Sequence, residues 1–245
     1  MKKRTLYDVL HAEYNAIGVD IDDTMISIGD TFVKYAHIFF KDRLKQKFEY
    51  QDYAWMVLEE LRPMADVGIT RKDVSDMLKY MESEKVIENI MPRIYCIASL
   101  RTMGDKSKIY LVTSRGDRYY NDAVGMTNRW LDNIAAYQKY HDLDNVIYDT
   151  DKVGVAKEKN IGLFFEDNPL VTERLLDAGI PVVLFNTPWN TLNVRRDKYL
   201  LTEKTYDQKI RTLEHIEKFS GTLLFRVPEW SYVFKNFVRQ ENWND

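Results

Sequence analysis

The chain has 245 residues, 45% of them apolar and 30% charged, with a formal net charge of −3. That length can bury a substantial core, as one domain with an insertion or as two small ones, and the near-balanced charge gives no general electrostatic reason to expect a nucleic-acid polymer or an anionic membrane as partner. No apolar stretch approaches the roughly 20 residues that cross a bilayer, the basic tip at residues 2–4 has no apolar segment behind it, and a single cysteine, Cys96, excludes an internal disulfide or a multi-cysteine zinc site; a cytoplasmic location is therefore the default expectation.

The first strong signal in chain order is the run 16–25, A-I-G-V-D-I-D-D-T-M. Its apolar half is short and β-branched, which suits a fully buried parallel strand better than a helix. Asp20, Asp22 and Asp23 end it abruptly, with Thr24 behind them. Side chains of a strand alternate faces, so Asp20 and Asp22 share one side if the extended geometry persists. Two carboxylates about 4 Å apart repel by about 4 kcal/mol near a protein surface, and a cation would relieve that. The bland reading is a solvated acidic turn capping the next helix. A calcium loop starting at Asp20 would need Gly sixth and Glu twelfth; the sequence has Met25 and Thr31, so that reading fails.

From Gly29, with Asp30 and Thr31 as possible caps, to about residue 88 the pattern is helical. Phe32, Tyr35, Ala36, Phe39 and Phe40 describe one buried stripe, and 53–61 and 73–81 read as further helices. Most of the aromatics here are expected in a small helical core, with Phe32 and Trp55 as candidates to face a ligand. Lysines and arginine at 41–47 read as a wet helix face. Pro92 fits the first turn of a helix running over 93–103, in which Cys96 is a packed thiol.

Next, 108–113 is an apolar strand ending in Thr113 and Ser114, followed by Arg115. A helix over 121–140, with Val124, Trp130, Leu131 and Ile134 among its apolar positions, precedes a short strand at 145–149. Lys152 opens a helix to about 159; 161–165 is a strand ending in Glu166, Asp167, Asn168 and Pro169. A helix to Ala178 leads to a strand at 180–185, a polar helix of unclear role at 206–219, a sixth strand at 222–227 and a closing helix at 228–238. Strands alternating with helices predict an α/β fold, a doubly wound parallel sheet, in which 1–26 and 90–245 form the core and 27–89 an inserted helical cap able to close over a site. Open sheets of this kind bind ligands at the carboxyl ends of their strands, where Asp20/Asp22, Thr113/Ser114 and Glu166/Asp167 would meet.

In order and spacing these segments resemble the haloacid dehalogenase-like (HAD) phosphohydrolase superfamily. Its first motif, D-x-D-x-T after an apolar strand, is matched by Asp20, Asp22 and Thr24; its second by Thr113 and Ser114; its lysine by Lys152, with Lys157 deeper in the helix as the weaker alternative; and its acidic motif by Glu166 and Asp167. The phrases T-S-R at 113–115, F-F-E-D-N-P at 164–169 and F-N-T-P-W-N at 185–190 look like the 5'(3')-deoxyribonucleotidase-like branch.

The resemblance implies a Rossmann-like core and a Mg2+-dependent phosphomonoester hydrolase. Asp20 would be the nucleophile, forming an aspartyl-phosphate, and Asp22 the acid and base. Mg2+ would be held by Asp20, the backbone carbonyl of Asp22 and Asp167, with Glu166 orienting a metal-bound water or Lys152. Thr113, Ser114 and Lys152 would bind the phosphoryl group. Dehalogenases and phosphorylating pumps of the superfamily lack the second acid, so its presence argues for phosphate-ester chemistry. Arg115 is either a second phosphate clamp or an ion-pair partner for Asp117 or for an acid of the cap. The expected substrate is a small phosphorylated metabolite, a (deoxy)nucleoside monophosphate first; the alternatives are a sugar phosphate or other small phosphomonoester, or a non-catalytic phosphate-binding protein. A homodimer is compatible with the sequence.

Overall fold

The computed structural model describes residues 2–40, 70–116, 119–134, 145–188, 190–191 and 203–238. Six strands, β1 (Ala16–Val19), β2 (Lys108–Thr113), β3 (Val146–Tyr148), β4 (Ile161–Glu166), β5 (Val182–Phe185) and β6 (Leu224–Val227), form one all-parallel sheet in the order β3-β2-β1-β4-β5-β6. The chain winds outward from β1 in one direction and resumes from β4 in the other. The reversal therefore falls between β1 and β4, the place where doubly wound sheets open a crevice.

Alternation along each strand splits the core between the two faces. Phe164 belongs to one apolar cluster with Val112, Val182 and Leu184, and Phe165 to the other with Val19, Val183 and Trp230. The first face is covered by α6 (Lys152–Glu158), α7 (Pro169–Asp177) and α8 (Glu203–Glu217). Leu213 and Ile216 of α8 are fully buried there, which gives the polar helix of unclear role its task. The other face is covered by α1 (Leu6–Leu10), α4 (Cys96–Gly104), α5 (Ala123–Asn133) and α9 (Trp230–Val238). Trp230 stacks on Phe165 at 5.0 Å between centroids and donates its indole N–H to the Thr24 carbonyl at 2.9 Å. Cys96 is buried, and burial pushes its thiol up.

Among the described residues, α2 (Ile28–Phe39), α3 (Arg71–Ser83) and a short 3-10 turn, Ile87–Asn89, lie between β1 and α4. The expected helix at 53–61, the charged run at 41–47 and Trp55 lie outside the described residues, as do 135–144 and therefore the far end of the helix expected over 121–140. Phe32, Ala36 and Phe40 are buried as the periodicity predicts, but Phe39 is 39% exposed, its ring set against Phe40 and Tyr80. Val124, expected on an apolar face, is likewise exposed.

One helix start differs from the sequence reading. α4 begins at Cys96 rather than near Pro92 because 92–95 have another duty. Pro92 bridges to Ile26, the Arg93 amide donates to the Met25 carbonyl at 2.7 Å, and the Arg93 guanidinium donates to the Asp23 carbonyl at 3.0 Å. Tyr95, at φ +66°, turns the chain into the helix only after these contacts are made.

Candidate active site

Asp20 continues the extended path of β1. Its amide donates to the Phe165 carbonyl of β4 at 3.0 Å, so β4 fixes the height of its side chain above the sheet. Gly18 makes that pairing close: a Cβ there would fall 2.4 Å from Cε2 of Phe164. After Asp20 the chain curls, with the Met25 and Ile26 amides both donating to the Ile21 carbonyl. Asp23 takes the left-handed conformation (φ +57°) that aspartate tolerates better than most side chains, and its carboxylate accepts the Gly29 amide at 3.1 Å.

Lys152 is the first residue of α6. Asp151 caps that helix by accepting the Gly154 amide at 3.0 Å, and a Cβ on Gly154 would meet the capping carboxylate at 2.4 Å, so glycine is what lets the cap close. The Lys152 side chain, 3% exposed, reaches Oδ1 of Asp20 at 2.5 Å and Oε2 of Glu166 at 2.9 Å. Lys157 is exposed in the last turn of α6, so of the two lysines it is Lys152 that meets Asp20 and Glu166. Asp167 follows Glu166 just beyond β4, and Asn168 starts α7 by accepting the Leu170 and Val171 amides.

Asp20, Glu166 and Asp167 are all buried, and one oxygen from each lies within 4.8 Å of the others. Unit charges about 5 Å apart interact by about 3–4 kcal/mol at the screening typical of a protein surface. Burial raises all three carboxyls, with Lys152 opposing, and acidic neighbours add to it: Asp22 at Asp20, Asp20 at Glu166, which is pushed up to about 7, and Glu166, Asp20 and Asp23 at Asp167, which goes well above the usual carboxylate range. A cluster of buried hard oxygens that disfavours its own charge fits a hard divalent cation. Asp20, Glu166 and Asp167 are the side chains that could hold it, so the geometry adds Glu166, expected from sequence only to orient a metal-bound water or Lys152, to the Asp20, Asp22 carbonyl and Asp167 set.

The other sequence candidates fall in distinct places. Thr113 is buried at the end of β2, and its hydroxyl accepts the Arg115 amide at 3.3 Å; Ser114 is exposed beside it. The Asp22 carboxylate is outside the three-carboxylate cluster and is 30% exposed. It is gripped by Arg115, Nε to Oδ2 at 2.9 Å and Nη2 to Oδ1 at 2.7 Å. Arg115 thus has an acid partner that was not among those expected from sequence; Asp117 lies outside the described residues. Phe32 packs in the apolar core at 5% exposure, which removes it from the candidates to face a ligand.

Two residues the sequence reading did not single out support the site. Asn190 is fully buried, and its amide donates to the Asp167 carbonyl at 2.7 Å and the Phe185 carbonyl at 2.6 Å. Arg226 on β6 in turn grips Asn190 at its side-chain oxygen (3.2 Å) and its backbone carbonyl (2.8 Å). The only sequence signal was the N-T-P-W-N phrase, whose last residue carries no chemistry by itself. Asp23 is also buried and close enough to help raise Asp167.

No protein-family model matches the chain. A Bacillus subtilis (strain 168) protein named "Putative nucleotidase YqfW" is 29% identical over 183 residues, covering 73% of this chain and 83% of that one. Among solved structures, a HAD family hydrolase of Deinococcus radiodurans R1, with bound phosphate and sodium, superposes with a TM-score of 0.57 at 10% identity, over 93% of this chain and 96% of that one. A haloacid dehalogenase-like family hydrolase of Streptococcus pneumoniae gives 0.56 at 10% identity, over 91% and 98%. The fold is that of the HAD hydrolases.

Proposed function

We propose that the protein is a Mg2+-dependent phosphomonoester hydrolase of the HAD type, with a (deoxy)nucleoside monophosphate as its first-choice substrate. The observation that carries this reading is the buried meeting of Asp20, Lys152, Glu166 and Asp167 at the β1/β4 reversal of the sheet. The nucleotide part is supported by the likeness to the Bacillus subtilis protein named as a nucleotidase, and the phosphate part by the fold shared with a hydrolase that has phosphate bound.

A carboxylate oxygen of Asp20 attacks phosphorus while the bond to the leaving oxygen breaks, and that oxygen takes a proton from the Asp22 carboxyl. Water then attacks the aspartyl-phosphate, gives its proton to Asp22 and releases phosphate, restoring both aspartates. Lys152 holds Asp20 in place and sets a positive charge beside the transferred group; Thr113 and Ser114 supply hydroxyl donors at the adjoining strand end. Bound Mg2+ would neutralise charge on the phosphoryl oxygens and on the carboxylate cluster. Fixed charges of this sort carry most of a phosphoryl transfer. Helices α2 and α3, in the inserted segment 27–89, act as a cap over this edge of the sheet.

The test is phosphate release with Mg2+ across nucleoside monophosphates and sugar phosphates, alongside the Asp20→Asn protein. Release from deoxynucleotides that vanishes in Asp20→Asn supports the whole reading; release confined to sugar phosphates keeps the chemistry and discards the nucleotide. No release from any of them by a folded, Mg2+-binding protein overturns it.

A further inference from the structure

We infer that Arg115 is a positioning residue for Asp22 and not a ligand of the substrate phosphoryl group. The inference rests on the hydrolase reading above. Arg115 follows the Thr113–Ser114 strand end, where a cationic side chain is naturally read as a phosphate clamp. Its geometry points elsewhere. The planar fork meets both oxygens of Asp22, at 2.9 and 2.7 Å, the paired arrangement in which guanidinium and carboxylate match best. The remaining terminal nitrogen, Nη1, donates to the Thr127 hydroxyl at 3.1 Å, and that hydroxyl is itself anchored by donating to the Ala123 carbonyl at 2.8 Å within α5. The guanidinium carbon sits 5.8 Å from the centre of the Trp130 ring, and Trp130 is fixed by its own indole bond to the Ile90 carbonyl at 2.8 Å.

The two partners are unequally placed. The Arg115 side chain is 1% exposed and the Asp22 side chain 30%. Arg115 is therefore the fixed member, held by β2 and α5, and Asp22 the member whose position is being set at the open side. Three of the five guanidinium N–H donors are committed, two to Asp22 and one to Thr127, and with the side chain 1% exposed a phosphoryl group seated on Asp20 and Lys152 meets little open guanidinium surface; drawing the fork itself away would strip Asp22 of its partners. Holding Asp22 keeps the proton-transfer group at a defined distance from Asp20, where a displacement of about 1 Å can cost about 100-fold.

The experiment is a double-mutant cycle of Asp22→Asn and Arg115→Gln with a deoxynucleoside monophosphate and with p-nitrophenyl phosphate, plus inhibition by inorganic phosphate. The deoxynucleoside leaves as an alkoxide and needs a proton; nitrophenolate does not. Asp22→Asn should slow the nucleotide by about 10²–10⁴-fold, and Arg115→Gln by about 10- to 100-fold. The double variant should be no slower than Asp22→Asn. The Arg115→Gln loss should be much smaller for the pre-steady-state release of nitrophenol, with the phosphate inhibition constant unmoved. Multiplying losses, equal losses for the two leaving groups, or a phosphate inhibition constant rising with the loss of turnover overturns the inference. If Arg115→Gln does not fold, Thr127→Val removes the hydroxyl that anchors the fork; in that folded protein the same leaving-group contrast, smaller in size, is expected, and its absence overturns the inference. A wild-type protein silent on both esters overturns the hydrolase reading and this inference together, whereas an active wild type with multiplying losses overturns this inference alone.

Discussion

Lys152 and Asp20 are 132 positions apart in sequence, and their charged atoms lie 2.5 Å apart in the interior, with Glu166 sharing the same ammonium at 2.9 Å. Removing the lysine leaves two buried carboxylates without that cation. Loss of one member of such a buried set typically costs about 3–5 kcal/mol. Lys152→Met should therefore lower stability by an amount in that range in metal-free buffer, measured by urea unfolding, and Mg2+ should recover part of it. A change below about 1 kcal/mol would show that the ammonium is not what offsets the carboxylates.

Gly18 governs how closely β1 lies against β4. A Cβ there meets the Phe164 ring at 2.4 Å, and overpacking a core costs about 1–3 kcal/mol. Gly18→Ala should be destabilised by that amount. Because Asp20 is two residues further along, just past the end of β1, turnover should also fall while the secondary structure seen by circular dichroism is retained. A variant as active and as stable as the parent would contradict the packing described here.

The pH dependence of the metal-free protein follows from the raised carboxyls. Burial, with carboxylate neighbours adding, lifts Asp20, Glu166 (to about 7) and Asp167 above their values in an unfolded chain, about 4. A raised folded value means that the protonated form is favoured by folding. For Glu166 the contribution is complete below about pH 4 and is lost as pH rises through about 7, and the raised Asp20 and Asp167 act in the same direction. Other groups being equal, the apo protein should melt higher near pH 5 than near pH 8, and Mg2+ should raise the Tm more at pH 8. Glu166→Gln should flatten the difference. A Tm that rises steadily from pH 5 to 8 in Glu166-containing protein but not in the variant would reverse the sign and refute the account.

Glu82, on α3, is buried and accepts the Asn121 and Asp122 amides at 2.6 and 2.7 Å, just before α5. With Arg129 bonded to Glu88 at 2.6 Å, it ties the inserted segment to the core helix that anchors Arg115. Glu82→Gln keeps the shape but loses the charge of an acceptor serving two donors, a loss of about 1–3 kcal/mol. Hydrogen exchange at 121–126 should quicken in the variant. Unchanged protection there would mean that α5 is held by other contacts.

Much of this architecture was legible because it rests on period and punctuation. Short β-branched runs alternating with helices predict the parallel sheet, and acidic or hydroxyl residues at the run ends predict where its edge carries polar groups. What was not legible is pairing between distant side chains. No local pattern says that Arg115 turns to Asp22 rather than to Asp117 or a cap acid, since the answer depends on β2 lying beside β1. Nor does the sequence around Pro92 reveal that 92–95 delay their helix to hold the acidic turn. Phe39 is exposed although the helical repeat places it near the stripe, because a repeat gives an angle around a helix and not the breadth of what covers it. Asn190 was invisible for a related reason: its worth lies wholly in the Asp167 carbonyl it reaches.

The indole bond from Trp230 to the carbonyl of Thr24 joins positions 206 apart, and this has a consequence for synthesis. The acidic turn leaves the ribosome well before Lys152, Asp167 and Trp230. Over that interval the nascent chain carries Asp20 without the lysine, the acidic neighbour or the indole brace that surround it in the fold. The site is complete only once residue 230 has emerged, so a chain interrupted before it lacks the brace on a turn made 206 residues earlier.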